Sequence, residues 1–130
     1  MPSLLICDDE HALVEELAEW FCAQQWQVDT VMSIPAARTL MREHGYPDVL
    51  LIEDSLPAHN GGAFMSGLCS ASRQCRPQVI ALMGTEEIEP GCRIRPSADL
   101  WLPKPFSPGR ARKLFIEAMQ ASPLGHSRQP

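Results

Sequence analysis

At 130 residues and 45% hydrophobic, the chain is long enough for one domain with one buried core and too apolar for a disordered segment. Its formal net charge of −5 counts against direct nucleic-acid binding, which needs clustered cations. No apolar run reaches membrane-spanning length, the early acids spoil a signal-peptide reading of the N-terminus, and the five cysteines (an odd set with no C-x-x-C pair) point to reduced thiols in a cytosolic compartment.

Ser3-Leu4-Leu5-Ile6-Cys7 is a short continuous apolar run, the pattern of a strand buried on both faces of a parallel sheet. It ends in Asp8-Asp9-Glu10. Val14, Leu17, Ala18 and Phe21 then repeat at i, i+3, i+4, i+7, which predicts an amphipathic helix over His11 to Gln25. Acids near its start suit the positive end of the helix dipole. Cys7 and Cys22 both fall in apolar patterns, where free cysteine behaves as a small buried hydrophobe.

Trp26 to Val31 alternates apolar and polar, as a half-exposed edge strand does. Ser33 offers an N-cap for a helix through His44, with Pro35 in its first turn and Gly45 at its end. Asp48 to Glu53 is a third strand, and after the loop from Ser55 to Gly62, Phe64, Met65 and Leu68 suggest a short helix. Gln78 to Met83 is a fourth, fully apolar strand. Thr85 to Glu89 begins a helix that Pro90-Gly91 and Pro96 interrupt, so a broken or shortened helix is expected. Asp99 to Leu102 is a last short strand, and Ser107-Pro108 opens a last helix carrying Leu114, Phe115, Ala118 and Met119. Residues 1–121 read as one domain, with 122–130 a flexible tail or the start of a linker.

Alternating strands and helices of this kind predict an α/β fold: a doubly wound, five-stranded parallel sheet with helices on both faces. In such sheets ligands sit beyond the carboxyl ends of the strands. Asp8 and Asp9 follow the first strand, Glu53 ends the third, Met83 ends the fourth and Lys104 follows the fifth, so all fall on one edge.

Three stretches now carry a specific resemblance: Ile6-Cys7-Asp8-Asp9-Glu10, then Leu50-Leu51-Ile52-Glu53-Asp54-Ser55-Leu56-Pro57 with Gly61 or Gly62, then Leu102-Pro103-Lys104-Pro105-Phe106. In order and at this spacing, the chain resembles a receiver domain of a two-component response regulator from Ser3 to Ala121. The resemblance implies a flavodoxin-like sheet of order 2-1-3-4-5 and a phosphoacceptor aspartate at the end of the third strand. It also implies an acid pair holding Mg2+ with a backbone carbonyl, a hydroxyl after the fourth strand, and a lysine that pairs with the phosphoryl group. Those parts have a physical logic, since phosphoryl transfer needs alignment and neutralised oxygens more than covalent help. Carried onto this chain, the metal ligands are Asp8, Asp9 and the Ser55 carbonyl, the lysine is Lys104, the switching aromatic is Trp101, and a cis bond precedes Pro105.

Two positions depart from the pattern. The acceptor position holds Glu53, and side-chain alternation points Asp54 away if Glu53 faces the pocket. The hydroxyl position holds Met83, which makes no useful hydrogen bond to phosphate. A glutamate reaches one C–C bond further, roughly 1.5 Å, toward Lys104. The expectation is therefore a divergent receiver, not an enzyme, whose Glu53 acts as a fixed charge paired with Lys104. Whether Mg2+ is retained stays open, because Glu53 can use the lysine instead. Trp101 is either a switch aromatic or a packing tryptophan. Arg110, Arg112 and Lys113 read as an exposed helix face rather than a nucleic-acid patch, near a surface through which receivers pair or meet effectors. The implied partners are a sensor histidine kinase or another signalling protein, an effector domain in a longer parent chain, or a second copy, with no membrane contact. The competing readings are a working phosphoacceptor that uses Glu53 or Asp54 with Mg2+, a phosphatase of the haloacid dehalogenase type, which wants D-x-D rather than adjacent acids, and a flavin carrier, for which no phosphate loop follows the first strand.

Overall fold

The computed structural model describes residues 1–56, 67–68, 71–84 and 98–121. Five parallel strands are β1 (Ser3–Cys7), β2 (Gln27–Val31), β3 (Val49–Glu53), β4 (Val79–Gly84) and β5 (Leu100–Pro103), in the order β2-β1-β3-β4-β5. The helices α1 (His11–Ala23) and α2 (Ile34–His44) follow β1 and β2, and the helix Pro108–Ala121 follows β5. The sheet order is the one the resemblance implied, and β1, with β2 on one side and β3 on the other, is where the winding reverses.

Alternation along the strands sorts the core into two faces. Leu4, Ile6, Val49, Leu51, Val79, Ala81 and Met83 face α1 and the helix Pro108–Ala121, where Val14, Leu17, Phe21, Ala111 and Phe115 close over them. Phe21 and Phe115 stack with ring centroids 5.8 Å apart, and Trp26 meets Phe21 edge-on at 5.0 Å. Leu5, Cys7, Leu50, Ile52, Ile80 and Leu82 face the other way, toward Ile34, Ala37 and Met41 of α2. β3 and β4 are covered on both faces, which is why they read as unbroken apolar runs.

Local chemistry sets the helix ends. Ser33 Oγ accepts the Ala36 N–H at 3.2 Å, Pro35 sits in the first turn of α2, and Gly45 (φ 89°) donates its N–H to the Met41 carbonyl at 2.9 Å. Ser107 Oγ caps the helix after it in the same way, accepting Arg110 N–H at 3.1 Å. The expected α1 is two residues too long. It ends at Ala23, because Gln25 takes φ 68° and the Trp26 N–H bonds back to the Phe21 carbonyl at 3.0 Å. Trp26 thus closes the core rather than opening β2. Cys22 is exposed, one residue past Phe21 and off the apolar stripe, which corrects its reading as a buried hydrophobe, whereas Cys7 is buried.

At the other end of the sheet, polar groups tie strand starts together. Asp48 Oδ2 accepts the Ser3 N–H at 2.9 Å, and the Asp48 N–H donates to Ser3 Oγ at 2.9 Å. Arg76, buried, pairs with Asp99, whose Oδ2 also accepts the Ile80 N–H at 2.8 Å. Gly67 and Leu68 are helical, while Phe64, Met65, the Pro57–Gly62 loop, the interrupted segment Thr85–Pro96 and the 122–130 tail lie outside the described residues.

Candidate functional site

The carboxyl ends of β1, β3 and β5 bring four charged side chains together. Lys104 follows β5, its N–H bonds the Gly84 carbonyl at 2.6 Å, and the Lys104–Pro105 peptide is cis. Its Nζ lies 3.1 Å from Asp8 Oδ2, 3.4 Å from Glu10 Oε1 and 3.9 Å from Glu53 Oε1. The expected Lys104–Glu53 pairing is therefore the longest of the three contacts, and Asp8 is the lysine's main partner.

Asp8 is 0% exposed and uses both carboxylate oxygens, since Oδ1 accepts the Glu10 N–H at 2.9 Å. Burial pushes its carboxyl up from the ordinary range, and Glu53 adds to this, against the pull of the Glu10 N–H and Lys104. Burial works to lower Lys104 as well, but the bonds and charges of Asp8, Glu53 and Glu10 outweigh it and raise the ammonium above its usual value. Below them, burial and then the charges of Asp8 and Asp9 push the Cys7 thiol up to about 12, so it is an inert core residue.

Glu53 is held from its own loop. Its Oε2 accepts the Ser55 N–H at 2.8 Å and the Ser55 hydroxyl, a local side-chain-to-backbone turn that orients the carboxylate before any ligand arrives. Its register partner on β4 is Met83, which is fully buried and belongs to the core face under α1. No hydroxyl stands at that place. Asp54 is on the opposite face, as alternation requires. Its carboxylate packs against Gly84, where an added Cβ would come within 2.4 Å of Oδ1. Trp101 pairs with Leu82 and packs, half-buried, on that same face, away from Lys104.

Three site features were missed by the sequence reading. Glu10 reaches the lysine instead of serving only the helix start; as the N-cap residue of α1 it makes no side-chain capping bond. Ser55 contributes its N–H and hydroxyl, and the carboxylate-to-i+2 spacing was the available signal. Gly84 ends a strand as the one residue that leaves room for Asp54, and glycine inside a strand is itself a sign of close approach. Asp9, by contrast, is exposed and makes no contact with Lys104.

The described residues do not fit a divalent metal as they stand. Asp8 is buried with both oxygens engaged, Glu53 Oε2 is bonded to Ser55 while Oε1 faces Lys104 at 3.9 Å, Asp9 is exposed, and no three carboxylate, histidine or cysteine groups among the described residues converge as ligands.

A family model, the response regulator receiver domain, matches residues 4–115. The chain belongs to that family. Receiver domains act in two-component signalling, and the flavin-carrier and phosphatase readings fall with this assignment. The fold agrees with solved structures. A CheY-like receiver domain from Methylobacillus flagellatus superposes with TM-score 0.74 at 22% identity, covering 91% of this chain and 98% of that one. The chemotaxis regulator CheY4 of Vibrio cholerae gives 0.75 at 20% identity, with 91% and 98% covered. NtrX from Brucella abortus gives 0.76 at 17% identity and covers 97% of this chain, which spans 28% of that longer protein. No curated protein matches the chain.

Proposed function

We propose that this receiver domain is a protein-contact module whose pocket is not switched by aspartyl phosphorylation. The observation that carries the reading is that Glu53, at the position the resemblance assigns to the acceptor, is bonded by two Ser55 donors and paired in register with buried Met83. An incoming phosphoryl group would find Glu53 Oε2 taken by Ser55, Oε1 turned to Lys104 at 3.9 Å, and no hydroxyl from β4. Asp54 does not replace Glu53 as acceptor, because it lies across the sheet against Gly84. The domain carries no catalytic residue on this reading and signals by presenting a fixed surface. Its partners would be a sensor histidine kinase or another signalling protein, an effector domain in a longer parent chain, or a second copy, in the cytoplasm. No described helix is long and apolar enough to cross a membrane.

Intact-mass measurement after incubation with acetyl phosphate and MgCl2 tests this, with a receiver that carries an acceptor aspartate run in parallel. The expected spectrum is that of the unmodified chain. A stoichiometric phosphoryl adduct mapped to Glu53 would overturn the proposal.

A further inference from the structure

We infer that Lys104 is the resident cation of this pocket, standing where a divalent metal would have to enter, so that the acid cluster is balanced without Mg2+. The inference rests on the pocket being a receiver pocket and adds which cation neutralises it. An ammonium has three N–H donors and no acceptor, and Lys104 donates to Asp8 at 3.1 Å and Glu10 at 3.4 Å, with Glu53 Oε1 a further ion-pair contact at 3.9 Å. The innermost of these has no solvent face. Asp8 is 0% exposed, with one oxygen on the ammonium and the other on the Glu10 N–H. Mg2+ asks for near-octahedral oxygens at about 2.0–2.1 Å and keeps several of its waters. It can reach the Asp8 oxygen on the lysine only by displacing the ammonium, and at Glu53 it meets Oε2 bonded twice by Ser55 and Oε1 facing the same ammonium at 3.9 Å.

The remaining charge does not call for a second cation. Glu10 is 61% exposed, so water screens it, and Glu53 is met by the two Ser55 donors. Asp9 is exposed, so water screens it as well. Glu10 thus has a role distinct from helix capping: it braces the lysine over Asp8 from the solvent side.

Thermal melts of the whole chain, without phosphodonor, test the inference. They are run in NaCl matched for ionic strength and in about 10 mM MgCl2; a site of about 0.1 mM affinity would raise Tm by roughly 8 °C. The wild-type chain is expected to shift by about 1 °C or less. Lys104→Met opens the cation's place and is expected to gain a Mg2+-dependent rise of several degrees. Lys104→Arg keeps the charge and is expected to stay insensitive. If Lys104→Met is unfolded in NaCl, the readout becomes recovery of its far-ultraviolet circular dichroism on adding MgCl2. A wild-type shift of the full size, a Lys104→Met variant that neither shifts nor recovers, or a responsive Lys104→Arg variant each overturns the inference. Phosphoryl labelling of Glu53 would sink the silent-receiver proposal while leaving this metal result to be read separately.

Discussion

Lys104→Met should be the costliest change in the pocket, and its cost should depend on Asp8. The ammonium sits 3.1 Å from a carboxylate with no solvent exposure, so removing it leaves an ionised group buried beside Glu53 without a counter-charge. Breaking a fully buried pair from one side costs about 3–5 kcal/mol; the Lys104 side chain is 18% exposed, which brings the expectation to about 2–3 kcal/mol. For a domain of this size that is a fall in Tm of roughly 7–10 °C. Asp8→Asn removes the charge that burial penalises and should be neutral or slightly stabilising at pH 7. In the Asp8→Asn background the lysine change should cost less than about 1 kcal/mol, giving a coupling above about 1 kcal/mol. Urea unfolding of the four proteins at pH 7, followed by tryptophan fluorescence, measures this directly. Equal costs of Lys104→Met in both backgrounds, within about 0.5 kcal/mol, would refute the assignment of Asp8 as the lysine's partner.

The same carboxylate sets a pH dependence. Because the folded Asp8 lies above its unfolded value of about 3.9, its contribution favours folding below that pH and is lost as pH rises through the raised value. Wild type compared with Asp8→Asn should therefore lose relative stability as pH rises from about 4 through the raised value; a gain on that rise would contradict the burial argument. Lys104, raised despite burial, contributes below its unfolded value of about 10.4 and should lose that contribution only at higher pH, which a Lys104→Met comparison of alkaline melts would show. Gly84→Ala should cost about 1–2 kcal/mol by pushing Asp54 aside, and most of that cost should vanish in an Asp54→Ala background; an unchanged cost there would place the clash elsewhere. Phe115→Ala, at a fully buried ring stacked on Phe21, should cost about 3–5 kcal/mol in urea melts, and a loss under about 1 kcal/mol would mean that the two rings do not carry this core face.

Much of the fold was legible because two-sided burial and one-sided burial leave different traces. Strands β3 and β4 are apolar at every core position and were found within a residue of their ends, while the alternation in Gln27–Val31 marked an edge. Trp26 misled because its polarity pattern continues the strand, although its place is fixed by the reversal at Gln25. At the site, alternation correctly separated Glu53 from Asp54. What period and spacing cannot rank is which of several acids a flexible lysine chooses. Differences of 3.1, 3.4 and 3.9 Å arise from how β5 and the start of α1 approach one another, and no linear pattern encodes that.

The two faces of the sheet show how the proposed silent pocket would be compatible with an intact receiver fold. Glu53, Met83 and Lys104 belong to the edge above α1, whereas Asp54, Gly84 and Trp101 belong to the face packed on α2. A pocket that reports its state to Trp101 must send the signal across the end of β4. Met83 buries its side chain in the first face with no polar atom free to follow a ligand, and Gly84 behind it is wedged by the Asp54 carboxylate. On the proposed reading, each half of that path is held by contacts present without phosphate: Glu53 by Ser55, Lys104 by Asp8 and Glu10, Gly84 by Asp54. On that reading the strand end would have one low-energy arrangement instead of two, and a ligand can shift an equilibrium only between states it binds differently. The surface around Trp101 would then be constant, which suits a docking module better than a switch.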